Sequence, residues 1–214
     1  MMRHTFYALA CLAALGACSN PLKTGRFLID PPDQGVRVPD RIGTAELRDV
    51  SLPDYASGDE VAWQTADGAV RMDTKNLWAD KPQRAFTLTL ARTISDISGA
   101  TVIAEPWPLA EPPRRKLEVR VEKALAMPNG VYRLTGRYFV SDNNAGGANQ
   151  ARSFDISVPL TSDKPGEIAR AQSQAIAQLA RQIATLSGPG RSIKTSAPKL
   201  DTIFSAPLPG FDGM

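Results

Sequence analysis

The sequence predicts an α+β fold: a two-layer sandwich in which a mostly antiparallel sheet carries two amphipathic helices on one face. Three observations lead there. Residues 116–126, 131–140 and 152–160 read as consecutive strands, with Leu117, Val119 and Val121 alternating against Glu118, Arg120 and Glu122. Residues 80–98 and 166–186 each carry one apolar stripe at helical spacing. Asp67-Gly68 lies between two apolar runs, a strong short-range hairpin signal. Each helix needs one apolar surface, and an antiparallel sheet has one to offer.

In chain order, residues 1–17 read as a signal peptide. Arg3 and His4 supply a positive start, Phe6 to Leu15 an apolar run, and Leu15-Gly16-Ala17-Cys18 a lipobox, with small residues ahead of the cysteine that would become the first mature residue. The apolar run is about half the roughly twenty residues that a membrane-spanning helix needs. Cys18 is the expected lipid attachment site. Acyl chains such as palmitate would hold the domain on a membrane, each buried methylene contributing about 0.8 kcal/mol. Cys11 is the poorer acceptor, having too little apolar chain before it. Residues 18–25 then form a polar tether containing Pro21.

Arg26-Phe27-Leu28-Ile29 is the first strand, stopped by Pro31-Pro32, and Arg41 to Val50 alternates imperfectly as a second. Leu52-Pro53-Asp54-Tyr55 and Ser57-Gly58-Asp59 make a turn. Val61 to Thr65 and Ala69 to Met72 are the arms of the Asp67-Gly68 hairpin. Asp80 is placed to cap a helix, with Pro82 in its first turn and Gln83 at the capping-box position. Phe86, Leu90, Ile94 and Ile97 fall on one face of it, and Gly99 ends it. Thr101 to Ala104 is a short buried strand, and Glu105 to Pro113 a proline-rich connection. After Asn129-Gly130, Tyr132, Leu134 and Tyr138 share one face of a strand, opposite Val131, Arg133, Thr135, Arg137 and Phe139. The closing helix buries Ile168, Ile176, Leu179, Ile183 and Leu186. Residues 187–214 hold four Gly and four Pro without periodicity and are expected to be a disordered tail. The single folded domain is thus residues 26–186.

Composition excludes several functions. The formal charge is +3, and loss of Arg3 with the signal brings it to +2, too weak a balance to imply nucleic acid. The one histidine, His4, leaves with the signal, and the remaining thiol is the acylated one. A mature chain so made cannot build a Ser-His-Asp or Cys-His centre or a common zinc site, and it has no P-loop or dinucleotide fingerprint. No catalytic residue, metal ligand or cofactor is expected beyond the lipid on Cys18. A carboxylate-dependent hydrolase would need a deep cleft with two acids, one of raised pKa.

With these elements in place the chain resembles the ABC-type transport auxiliary lipoproteins, the PqiC-like group that accompanies MCE lipid-transport systems. The resemblance spans most of residues 26–186. It rests on the order and spacing of the lipobox at Cys18, the Phe27-Leu28-Ile29 strand before Pro31, Val50-Ser51-Leu52-Pro53-Asp54-Tyr55, the Asp59 to Thr65 strand with its Asp67-Gly68 turn, Leu77-Trp78-Ala79-Asp80, and the Ala-rich helix around Ala175 to Ile183. It implies a non-enzymatic, periplasm-facing lipoprotein on the outer membrane that docks an MCE-family periplasmic protein and its inner-membrane transporter, with a homo-oligomeric ring as a further possibility. Ser19 after the cysteine fits outer-membrane sorting. The alternative is a structural envelope lipoprotein that binds peptidoglycan or assists surface-polymer assembly. Trp78 is expected to anchor helix to sheet. Leu52, Pro53 and Tyr55 are expected to contact a partner, as apolar turn residues with no core to serve.

Overall fold

The computed structural model describes residues 24–32, 35–144 and 147–194. In chain order its elements are β1 (Gly25–Phe27), β2 (Thr44–Leu47), α1 (Asp54–Ser57), β3 (Glu60–Gln64), β4 (Val70–Trp78), α2 (Pro82–Ser98), β5 (Thr101–Ala104), β6 (Arg115–Met127), β7 (Val131–Asp142), β8 (Ala148–Pro159), α3 (Pro165–Ala184) and β9 (Gly190–Lys194).

The expected sandwich is present, with β6 as the spine of its sheet. Along one edge β6 pairs antiparallel with β7, which continues to β8 and β9. Its other edge carries two separate wings. Near its start lies β2, parallel through Ala45↔Arg115 to Leu47↔Leu117, with β5 parallel beyond it. Near its end lies β3, in contact at Trp63↔Ala126, followed by β4 and β1. Between the wings, residues 48–51 stay bonded to the spine. Arg48 N–H donates to Leu117 O (2.9 Å), Ser51 N–H to Val119 O (3.0 Å), and Val121 N–H to Ser51 O (2.8 Å). Backbone groups of β6 at Val119 and Val121, which neither wing reaches, are thereby met.

Alternation places Leu117, Val119 and Val121 on the core face with Tyr132, Leu134 and Tyr138 of β7 and Phe154, Ile156 and Val158 of β8, all buried. A bulge between Val121 and Lys123 breaks the period, so that Ala124 and Ala126 also face the core. Over this face lie the expected stripes of α2 (Phe86, Leu90, Ile94, Ile97) and α3 (Ile168, Ile176, Leu179, Ile183), all in one continuous core. Each such side chain contributes about 1.5–3 kcal/mol on burial. Thr87 of α2 accepts the Val50 N–H at 3.0 Å, fastening the helix to the segment between the wings.

The structure corrects four details. The N-cap position of α2 is Lys81, with no side-chain cap; Asp80 instead accepts the Lys81 N–H (2.8 Å) and pairs with Arg84. Pro82 does start the helix, and Gly99 at φ 75° does end it. The 52–58 turn contains the one-turn helix α1. β4 runs on to Trp78, where β1 pairs parallel with it, an arrangement that short strands cannot announce by pattern alone. The expected tail is structured at its start, because Gly190–Lys194 adds β9 to the sheet. Residues 195–214, with Ile203, Phe204 and Phe211, lie outside the described residues, as do the signal segment and Cys18.

Candidate functional surfaces

Among the described residues no three His, Cys, Asp or Glu side chains gather as a metal-binding group. Several carboxylates are held below their ordinary range. Asp67 is lowered by the Thr65 hydroxyl and the Ala69 N–H, Asp73 by the Lys75 N–H and Asn76, and Asp155 by Arg133. Glu167 falls to about 2 through Arg170 and the Thr161 hydroxyl. These are acids stabilised as anions, the reverse of what a general acid requires.

Three surface hollows have volumes of about 340–380 Å³. One lies between the Asp30–Pro32 segment and Arg92 and Asp96 of α2, where Asp30 is already paired with Arg92 at 2.9 Å. Another lies at the end of the sheet between Trp63, Met127 and Ile168, and the third beside Lys81 and Arg84. An internal space of about 10 Å³ sits under Tyr55, with Gln172 and Tyr132 in its wall. The Tyr132 hydroxyl has no hydrogen-bond partner among the described residues, and burial pushes its pKa far up, so it is no acid–base group.

Leu52, Pro53 and Tyr55 are half-buried rather than presented to solvent. Leu52 packs on the core, and the Tyr55 hydroxyl accepts the Ala124 N–H at 3.3 Å, where β6 would otherwise lack a neighbour between its wings. The premise that these residues have no core to serve is corrected for two of them: Leu52 and Tyr55 fill the gap between the wings. Trp78 is 6% exposed within the core, as a packing anchor should be.

The outward face of the sheet is polar and crowded with arginine. Arg120 and Arg137 oppose each other across β6 and β7, their guanidinium carbons 5.2 and 5.5 Å from the centre of the Phe139 ring. Directly opposed like charges destabilise a strand pair. Phe139 offsets this through its ring face, and Glu118 does so by binding Arg120 at 2.6 Å and Arg48 at 3.6 Å. Arg133 and Asp155 pair through two bonds of 3.0 and 2.6 Å.

A different surface lies where the described chain begins. Phe27 and Leu28, leaving β1, meet Ala85 and Leu88 of α2 around a notch of about 160 Å³ floored by Trp78. Leu28 is 70% and Leu88 44% exposed. Around the notch, Arg84 pairs with Asp80, Arg92 with Asp30, and Lys81 with Asp59. The surface is apolar at its centre and nearly neutral at its rim. Pattern reading assigned Leu28 to a strand interior; its exposure follows from β1 ending one residue earlier.

No curated protein matches the sequence. Among solved structures, one described as an uncharacterized protein is 23% identical, with a TM-score of 0.60 over 70% of this chain and 95% of its own. A Xanthomonas campestris protein assigned to the family DUF330 is 13% identical, with a TM-score of 0.51 over 75% of this chain and 91% of its own. These likenesses show the fold. The family model for the ABC-type transport auxiliary lipoprotein component matches residues 27–184, from the end of β1 to the end of α3. Over the whole of that two-layer domain, the chain belongs to the ABC-type transport auxiliary lipoprotein family.

Proposed function

We propose that this protein is a docking and scaffold subunit of an MCE-type intermembrane lipid-transport system, anchored by a lipid on Cys18 to the periplasmic face of the outer membrane. The observation that carries this reading is the family match over residues 27–184 with the Leu15-Gly16-Ala17-Cys18 lipobox just upstream. The polar, salt-bridged outer sheet face and the single continuous core between sheet and helices support the scaffold reading. In this role the domain binds proteins and a membrane and performs no bond chemistry.

The test is affinity purification of the tagged, lipidated protein from its native envelope, with mass spectrometry of the proteins and lipids recovered, alongside Cys18→Ala. The reading expects an MCE-family protein with the lipidated form and its loss, or redistribution to the soluble fraction, with Cys18→Ala. Recovery of peptidoglycan or polymer-assembly proteins in its place overturns it.

A further inference from the structure

We propose that the notch formed by Phe27, Leu28, Ala85 and Leu88 is a membrane-contact face, seated on the lipid surface that holds the anchor. The inference rests on the Cys18 reading for its geometry. Five residues separate Cys18 from Thr24, the first described residue. Six residue steps span at most about 20 Å, so Thr24, the residue before β1, cannot stand further than this from the point of acylation. Leu28 follows directly after β1, and Leu88 faces it from α2. The most exposed leucine of the described chain is thus the one nearest the tether, on the side that the tether draws toward the bilayer.

The chemistry of the rim specifies the kind of contact. Lys81, Arg84 and Arg92 each have an acidic partner and Arg26 of β1 donates to Trp78 O at 3.5 Å, so the face has little net charge with which to attract anionic headgroups. Contact is through leucine side chains at the boundary of headgroup and acyl chain, where apolar area is gained without a charge requirement. A single weak contact of this size is sufficient because the tether keeps the face at high effective concentration near the surface. It fixes which way the domain points: β1 and α2 toward the membrane, β9 at the opposite end of the sheet away from it.

The experiment attaches the mature chain, residues 18–214, through the Cys18 thiol to a maleimide-headgroup lipid in phosphatidylcholine vesicles. The membrane geometry is thereby imposed whether or not the cell acylates Cys18. Hydroxyl-radical labelling read by mass spectrometry compares this form with the same chain capped by a soluble maleimide. Leu28 and Leu88 are expected to lose most of their labelling on vesicles, equally with added phosphatidylglycerol and at high salt. Ile193 of β9, 56% exposed, is expected to keep its labelling. Leu28→Ser with Leu88→Ser is expected to restore full labelling of Phe27 on vesicles. Unchanged labelling of Leu28 and Leu88 overturns the proposal, and so does protection already present in the capped chain and rising with its concentration, which would mean a second copy covers the face. Whether Cys18 is acylated in the cell is read separately, from the mass of the native protein.

Discussion

Replacing Gly136 with alanine tests the packing of the sheet at its tightest point. Gly136 lies opposite the β6 bulge, and a Cβ there would stand 2.2 Å from the Arg120 carbonyl oxygen, 2.8 Å from the Phe154 ring and 2.9 Å from Val121 Cα. Real Cβ contacts essentially never fall below 3.0 Å, and two of these three neighbours are backbone. β7 would therefore have to withdraw from β6 at mid-strand. Overpacking costs about 1–3 kcal/mol. Losing two ladder hydrogen bonds adds about 1 kcal/mol each. The expected destabilisation is about 3–5 kcal/mol, a large part of the roughly 5–15 kcal/mol that holds a domain together. With a urea slope of about 2 kcal/mol per M, the unfolding midpoint should drop by roughly 1.5–2.5 M. A drop below about 0.5 M, at unchanged slope, would show that the bulge absorbs a methyl group and refute the reasoning.

Asp142→Asn should lower stability by about 1 kcal/mol in thermal or urea unfolding, because it removes the negative charge that a 3%-exposed carboxylate presents to Arg115 (3.5 Å) and Arg114 (3.7 Å), while Arg114 stays 58% exposed and Arg115 keeps its bond to Ile42 O. Tyr55→Phe removes the acceptor for the Ala124 N–H; a loss of about 1 kcal/mol and faster hydrogen exchange at Ala124 are expected. Tyr132→Phe deletes a buried hydroxyl that has no partner among the described residues, so the unfolding midpoint should hold or rise, by up to about 1 kcal/mol of stability. Glu167 is depressed from 4.5 to about 2 in the folded chain, so its contribution is fully present above pH 4.5 and is lost as pH falls through about 2. Carboxyl NMR titration should give its midpoint near 2, and Glu167→Gln should remove that part of the acid-side decline between those values.

What the sequence made legible follows from periodicity. The α2 and α3 stripes and the two faces of β6 and β7 are patterns of 3.6 and 2 that burial imposes directly, and each was readable without a partner. In the wings, the β3–β4 hairpin about Asp67-Gly68 and the β5 strand were readable, but the parallel pairings were not, because β1, β2 and β3 are three to five residues long and their parallel neighbours, β4, β5 and β6, are set by tertiary contacts. Gly136 is not legible for a related reason: it interrupts the β7 pattern only by lacking a side chain, and the bulge it faces becomes visible once the strands are paired.

The segment after α3 shows how composition can mislead. Gly188-Pro189-Gly190 looks like the start of an unstructured tail, yet a Cβ at Gly190 would stand 2.0 Å from the Ala151 carbonyl oxygen, and Ser153 N–H donates to Pro189 O at 2.7 Å. These glycines are there so that backbone can press on β8. The turn is held further by the Tyr138 hydroxyl, which donates to Ser187 O and whose pKa burial raises to about 12. The same confusion affected residues 52–55, where apolar side chains in a turn suggested a free surface. In both places a segment without periodicity was packed against the edge or gap of a sheet, and its glycine, proline and tyrosine were answering to that neighbour. Leu28 is the opposite case, an apolar residue read as strand interior and found in solvent. No neighbour within the fold explains its exposure, and for that reason the Leu28–Leu88 notch beside the tether carries the membrane-contact proposal.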